Sequence, residues 1–407
     1  MNIVTKPCIP VELRKFPYPF KACLSICNDI DGTDTNEKFK KIQTFMNETI
    51  GIRFTNTFFP FHDDNNFSLF SNSLNDKEAI LKYIKEGVID AMHSYGEKRD
   101  FTRADAIRTL EELKQNGCKL QIWIDHARSK SNLCKYRFFG KGDIPTAKEY
   151  HADLMRDYGI KFIWTERLTN ITGQGVPLGF GSILLIFDKE HPFHSSLNMI
   201  KTAAKVALSI CGYKKYDFFK YNALIKIAVL RDKQKIYEFV RFNNPCKSAK
   251  NIPSFIDLHY LISKKVLERL KRVGGYSIVY VHLGYNFDLD CYEGKKTVAA
   301  LYNLKKEFEE KNIYVEPTSK VLNYFITWRY LIWSLETNKD GYYIYIKAVD
   351  DPIFGAYKPN LSQLEGITFY VPNEARIRVF NGNEELENLR RNPPDYTEKS
   401  SITIGSR

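Results

Sequence analysis

Two carboxylates two residues apart, Asp29 and Asp31, close the apolar run Ala22-Cys23-Leu24-Ser25-Ile26-Cys27 and are followed at once by Gly32. Side chains alternate along a strand, so the two acids share a direction while Ile30 points the other way. Like charges at one strand end repel, and a cation or a shared proton between them relieves the repulsion. An Asx-rich turn is the bland alternative. Three histidines shift the balance. His93 stands in His93-Ser94-Tyr95-Gly96-Glu97, His126 follows Asp125 with Arg128 and Asn132 beyond, and His282 ends Tyr280-Val281-His282-Leu283. Each alone is more often a hydrogen-bonded loop or core residue. With the paired acids they form a donor set for a hard or borderline cation, Asp oxygen and His nitrogen leaving a position for water. That chemistry is hydrolysis: the metal lowers the pKa of water, a carboxylate takes the proton, and an acid protonates the leaving group.

The elements that must position these residues are strands alternating with helices. Strand-like segments fall at 22–27, 53–59, 88–94, 119–126, 161–166, 235–243, 277–284 and 312–317, with amphipathic helical patterns between them. Such alternation implies a parallel α/β sheet, and this many strands predict a closed or nearly closed (β/α) barrel with function at the C-terminal strand ends. The three histidines lie at such ends. Glu166 closes the 161–166 segment beside Trp164, a pairing of acid and aromatic that suits sugar binding, although a core Trp is the commoner outcome. Gly173, Gly175, Gly179 and Gly181 mark a loop-rich insertion near 168–215. Past residue 338, short strands at 342–347, 367–371, 375–380 and 401–404 predict a small all-β domain, so the expected division is 1–337 and 338–407. His151, spaced with Asp153 and Asp157, reads as part of a solvated helix face.

Composition narrows the function classes. The 407 residues are 43% hydrophobic and carry a formal charge of +12, with Lys and Arg spread along the whole chain and no dense basic block. The charge favours anionic partners in general, and its spread reads as solvated faces rather than a nucleic-acid footprint. The 8 cysteines are scattered, without metal-ribbon or redox spacing. No apolar run reaches the length of a membrane span and no signal-peptide region opens the sequence, so the expectation is a cytoplasmic, reducing location without a membrane span. Oligomeric state is not written in the pattern.

The combination of a strand ending in Asp-x-Asp-Gly, then His-Ser-x-x-(ligand), then a late apolar-x-His-Leu resembles the polysaccharide deacetylases, the metal-dependent carbohydrate-esterase group related to the chitooligosaccharide deacetylases. The resemblance spans roughly residues 20–330. It implies a (β/α) barrel of seven or eight strands, often distorted, and a divalent ion, zinc above all. It also implies Asp29 as catalytic base, Asp31 and His93 as metal ligands, and His282 as general acid. Two departures stand out. Glu97 occupies the place of the family's second ligand His, so either Glu97 or His126 completes the metal set. The family's Arg-x-Pro motif is replaced by Asp125-His126-Ala127-Arg128, so that Asp125, placed to orient a ligand or base, and Arg128 join Glu166 beside Trp164 as candidates for the substrate side of the site. The implied activity is removal of an N-acyl group, N-acetyl first, from a carbohydrate in the making or modification of a surface polysaccharide such as lipopolysaccharide or capsule. Two other readings remain open: a metal-free glycoside hydrolase on a similar barrel using carboxylates such as Asp29 and Glu166, and a degenerate barrel that binds glycan without turnover.

Overall fold

The computed structural model describes residues 11–62, 67–71, 73–96, 98, 100–127, 129–133, 139–178, 183–184, 186–187, 189, 192–243 and 252–405. The chain divides into two compact units, Ala22–Ser319 and a second formed by Met1–Lys21 with Lys320–Arg407. Strand β1, Glu12–Leu13, belongs to the second. In the first unit the strands are β2 (Ala22–Asn28), β3 (Thr55–Phe58), β4 (Ala91–His93), β5 (Ile122–Ile124), β6 (Phe162–Trp164), β7 (Leu168–Thr169), β8 (Ile225–Val229), β9 (Lys235–Phe239), β10 (Arg241–Phe242), β11 (Tyr276–Val281) and β12 (Ile313–Val315). They form one sheet in the order β7-β10-β11-β2-β3-β4-β5-β6-β9-β8, with β12 added on β2. The sheet is mixed α/β in character, mostly parallel, and curls as a half-barrel.

Burial explains why these segments are strands. Every residue of β2 is buried, the signature of a parallel strand covered on both faces, where an apolar run replaces alternation. Helices between the strands supply the cover. Arg103–Gln115 starts at a capping box made by Thr102 and Asp105, and Lys264–Val273 starts at Ser263 and stops at the left-handed Gly274. Phe39, Phe58, Ile80, Met92, Leu110, Trp123 and Ile163 make one apolar cluster. Leu24, Ile26, Met46, Phe54, Leu267, Val279 and Leu301 make another.

One irregularity matters for chemistry. β6 pairs with β9 (Ile163 opposite Glu238), whereas β7 pairs with β10 (Leu168 opposite Arg241). The longer path from Ile163 to Leu168 lies opposite the shorter one from Glu238 to Arg241, and the extra residues include Glu166 at a φ of 71°. Such bulges re-aim side chains near functional sites. Here the break at Val240 precedes Arg241, and Phe242 then pairs with Val279 of β11.

The second unit holds two sheets. One has the order β1-β16-β20-β19, with β16 at Thr368–Tyr370, β19 at Leu389–Asn392 and β20 at Ser401–Ile404. The other has β13 (Leu331–Asn338), β14 (Gly341–Asp351), β17 (Ile377–Asn381) and β18 (Glu384–Glu385), with β15 (Gly355–Tyr357) on β14. Ile344, Ile346, Phe369, Val379 and Ile402 fill its core. Expected short strands are present, but the division differs from 337/338: Glu12–Leu13 pairs with Phe369–Tyr370, which draws the N-terminal segment into this unit.

Candidate metal centre

The turn after β2 sets the centre. Ile30 is buried and its N–H donates to Thr57 Oγ1 (2.8 Å), fixing the apolar side chain inward and leaving Asp29 and Asp31 to share the opposite direction. Thr33 N–H bonds back to the Ile30 carbonyl at 2.9 Å, closing a turn over Gly32 at a φ of 74°. A side chain at position 32 would lie 2.5 Å from the Tyr285 ring, so the turn requires glycine on both counts.

His93, His126 and His282 arrive from the ends of β4, β5 and β11, and each is held by its surroundings. The His93 ring stacks on Phe59, with centroids 5.0 Å apart. His126 is clamped through its backbone, its N–H donating to Asn132 Oδ1 (3.0 Å) while Asn132 Nδ2 returns a bond to its carbonyl. His282 Nδ1 donates to the Pro253 carbonyl (3.1 Å), so the ring cannot turn and Nε2 is the nitrogen that faces the acids. The buried amide of Asn28 accepts from Leu283 N–H (2.7 Å) and donates to Asn56 Oδ1 (3.0 Å), tying the strand ends together.

Asp31 is the focus of the cluster. Its Oδ1 accepts from His126 Nε2 at 2.9 Å, while its Oδ2 lies 3.3 Å from His93 Nδ1 and 3.7 Å from His282 Nε2. Beyond their own 3.3 Å ion-pair contact, Asp31 Oδ2 and His93 Nδ1 are buried with no hydrogen-bond partner. Buried polar atoms left short of partners mark a place for an ion or a water, and these converge. Asp29, Asp31 and His282 present ligand atoms within 4.8 Å of one another, a group that could hold a metal ion. The donor set fits one: carboxylate oxygen and imidazole nitrogen suit a borderline divalent cation.

Asp29 has a different partner. Arg241 Nη1 and Nη2 donate to its two oxygens at 2.7 and 3.0 Å, a bidentate pair in which the guanidinium is fully buried. The guanidinium carbon lies 3.5 Å from the centroid of the Trp164 ring and 4.2 Å from that of Tyr280, so aromatic faces replace part of its lost hydration. Burial alone pushes the Asp29 carboxyl up, but Arg241, His93 and His282 outweigh it and hold it below the ordinary range. Asp31 follows the same logic: burial raises it, and His93 with the His126 hydrogen bond brings it well below. For His282, burial lowers the imidazole and the two carboxylates only partly restore it.

The remaining sequence candidates are placed as follows. Asp125 is buried, its Oδ1 accepting from Trp123 Nε1 (2.8 Å) and Leu133 N–H (3.0 Å), so these contacts anchor the loop that carries His126. Glu166 lines a cavity of about 280 Å³ with Arg167, Lys205, Lys215 and Phe219. Glu97 and Arg128 lie outside the described residues. His151 is not on a solvated face: it is fully buried, its Nε2 bonded to the Ser131 carbonyl (2.7 Å), and burial pushes it down to about 4. Sequence reasoning missed Arg241. The signal was available, because an arginine inside Phe239-Val240-Arg241-Phe242 demands a buried carboxylate. Among the described residues no helix is long and apolar enough to cross a membrane. No protein-family model matches this chain, and no curated protein or solved structure is significantly similar to it.

Proposed function

We propose that this chain is a metal-dependent hydrolase that removes an N-acyl group, N-acetyl first, from a carbohydrate. The observation that carries the reading is the division of labour between two adjacent carboxylates. Asp31 is approached by three imidazoles, the nearest at 2.9 Å, whereas Asp29 is held by a bidentate guanidinium with His93 and His282 farther off at 3.8 Å. On this reading the half-barrel is a distorted (β/α) barrel of seven main parallel strands, with β6–β7 and β9–β10 each counted as one broken strand. Asp31, the member of the Asp29–Asp31–His282 group that His93 and His126 also approach, anchors the cation with those two imidazoles while Asp29 and His282 are left to move protons, and zinc is the ion best suited to such a mixed set. When bound, it supplies Lewis acidity to an acyl carbonyl and to water.

The chain's own residues then handle the proton. Asp29, kept ionised and aimed by Arg241, accepts it from the attacking water. His282 starts neutral, so a proton that it delivers to the leaving amine must be collected within the site, and Asp29 Oδ2 lies 3.8 Å from its Nε2. The anchored Nδ1 keeps Nε2 on that line. A glycoside hydrolase using Asp29 and Glu166 is less well supported, because Asp29 sits below its ordinary range, paired with Arg241 and the imidazoles, and is not a carboxylic acid held protonated. The test is acetate release from N-acetylated sugars and oligosaccharides with zinc supplied or chelated. Zinc-dependent release that is lost in Asp29→Asn supports the reading; glycosidic cleavage by metal-free protein contradicts it.

A further inference from the structure

The helix Pro192–Ile210 is turned inside out. Its buried stripe contains Ser195, Thr202 and Ser209, spaced by seven, with Met199 and Val206 between them against Ile171, Ile186 and Phe219. The Thr202 hydroxyl donates to Asn170 Oδ1 at 2.9 Å. The opposite stripe is apolar and open: Phe193 is 76% exposed, Leu197 40% and Ile200 67%, with Ala204 exposed on the same line and Ile210 at the helix end 66% exposed. A helix packed on a soluble body normally buries its apolar side, so this face is built to meet something other than water.

Charge says what that is. From Pro192 to Tyr216 there is no Asp or Glu, while Lys201 and Lys205 share one flank of the open stripe and Lys214 and Lys215 follow its end. Tyr213, at the junction between stripe and lysines, is 60% exposed. Apolar residues outward, a lysine flank, and an aromatic at the border form the pattern of a helix lying in the plane of a bilayer surface, its cations among anionic headgroups. A second copy is a poorer occupant, because pairing would bring this basic flank against another chain of formal charge +12. We infer that the helix Pro192–Ile210 docks the protein peripherally on an anionic lipid surface through Phe193, Leu197 and Ile200, with Lys201, Lys214 and Lys215 contacting the headgroups. This docking is independent of what the metal centre does.

The experiment is co-sedimentation of the full chain with vesicles of phosphatidylcholine alone and of phosphatidylcholine mixed with phosphatidylglycerol. Binding is expected to the mixed vesicles and to weaken with salt. Ile200→Glu should lower it about tenfold or more, the scale of one lost aliphatic contact, and the Lys214→Ala/Lys215→Ala variant about fivefold per lysine. Both sites are exposed, so folding is retained, and a blue-shifted emission of Ile200→Trp on mixed vesicles reads insertion directly. Wild-type protein left in the supernatant at low salt overturns the inference. So does binding that Ile200→Glu leaves unchanged, or a solution dimer that Ile200→Glu dissociates.

Discussion

Asp29 is a buried carboxylate and Asp90 a partly buried one of the same sheet, and they are treated in opposite ways. Asp29, beyond the C-terminal end of β2, meets a guanidinium and imidazoles and is held below its ordinary range. Asp90, just before the N-terminal end of β4, accepts from two neutral donors, Thr55 Oγ1 (3.2 Å) and Ser319 N–H (3.3 Å), and burial pushes it up to about 6. The second arrangement caps the helix Thr318–Tyr330 and needs no charge. The first concentrates charge at the strand ends, where a curled parallel sheet places its chemistry. The side chain is the same, but only one end of the sheet supplies cations that hold it below its ordinary range.

Asp31→Ala should abolish metal binding and reduce hydrolysis at least ~1000-fold, the scale of losing several kcal/mol of charge stabilisation, while Asp90→Asn leaves turnover within a few-fold; steady-state kinetics on both variants decides it. Arg241→Met leaves Asp29 buried without its guanidinium and should cost about 3–5 kcal/mol in urea unfolding at neutral pH. Asp90→Asn should go the other way. Its folded pKa is raised from 3.8 to about 6, so the wild type loses stability as pH rises through that window. The loss is roughly 3 kcal/mol at about 1.36 kcal/mol per unit, and the Asn variant should lack that slope.

His151 sharpens the same contrast. Its folded pKa is depressed from 6.5 to about 4, so the folded protein is penalised as pH falls through that window, by roughly 3 kcal/mol on the same scale. His151→Gln should flatten this part of the stability profile without changing metal content. The carboxylates of the centre act at lower pH: with folded pKa values depressed, Asp29 and Asp31 stabilise above about pH 4 and stop doing so as acid protonates them. The smallest effect is expected of Asp125→Asn, which keeps the acceptor for Trp123 and Leu133 and should cost about 1 kcal/mol with only modest loss of activity.

Much of this was legible in the chain because parallel strands write themselves as local apolar runs. Asp29, His93, His126 and His282 each stand at the end of such a run. Long-range features left no local trace. The pairing of Glu12–Leu13 with Phe369–Tyr370 joins segments that no window of sequence contains, so the place of the N-terminal residues is not legible locally. Arg241 was hidden because its partner lies 212 residues away and because a charged residue in a strand reads first as solvated. His151 shared helical spacing with Asp153, yet it sits at the helix start, turned inward among Tyr95, Phe101 and Trp123.

The division between Asp29 and Asp31 stands or falls on metal content. Elemental analysis of purified wild-type protein should find about one divalent ion per chain, zinc foremost, retained in Asp90→Asn and lost in Asp31→Ala. Wild-type protein that binds no divalent ion after incubation with zinc, or an Asp31→Ala variant that keeps it in full, would contradict the account.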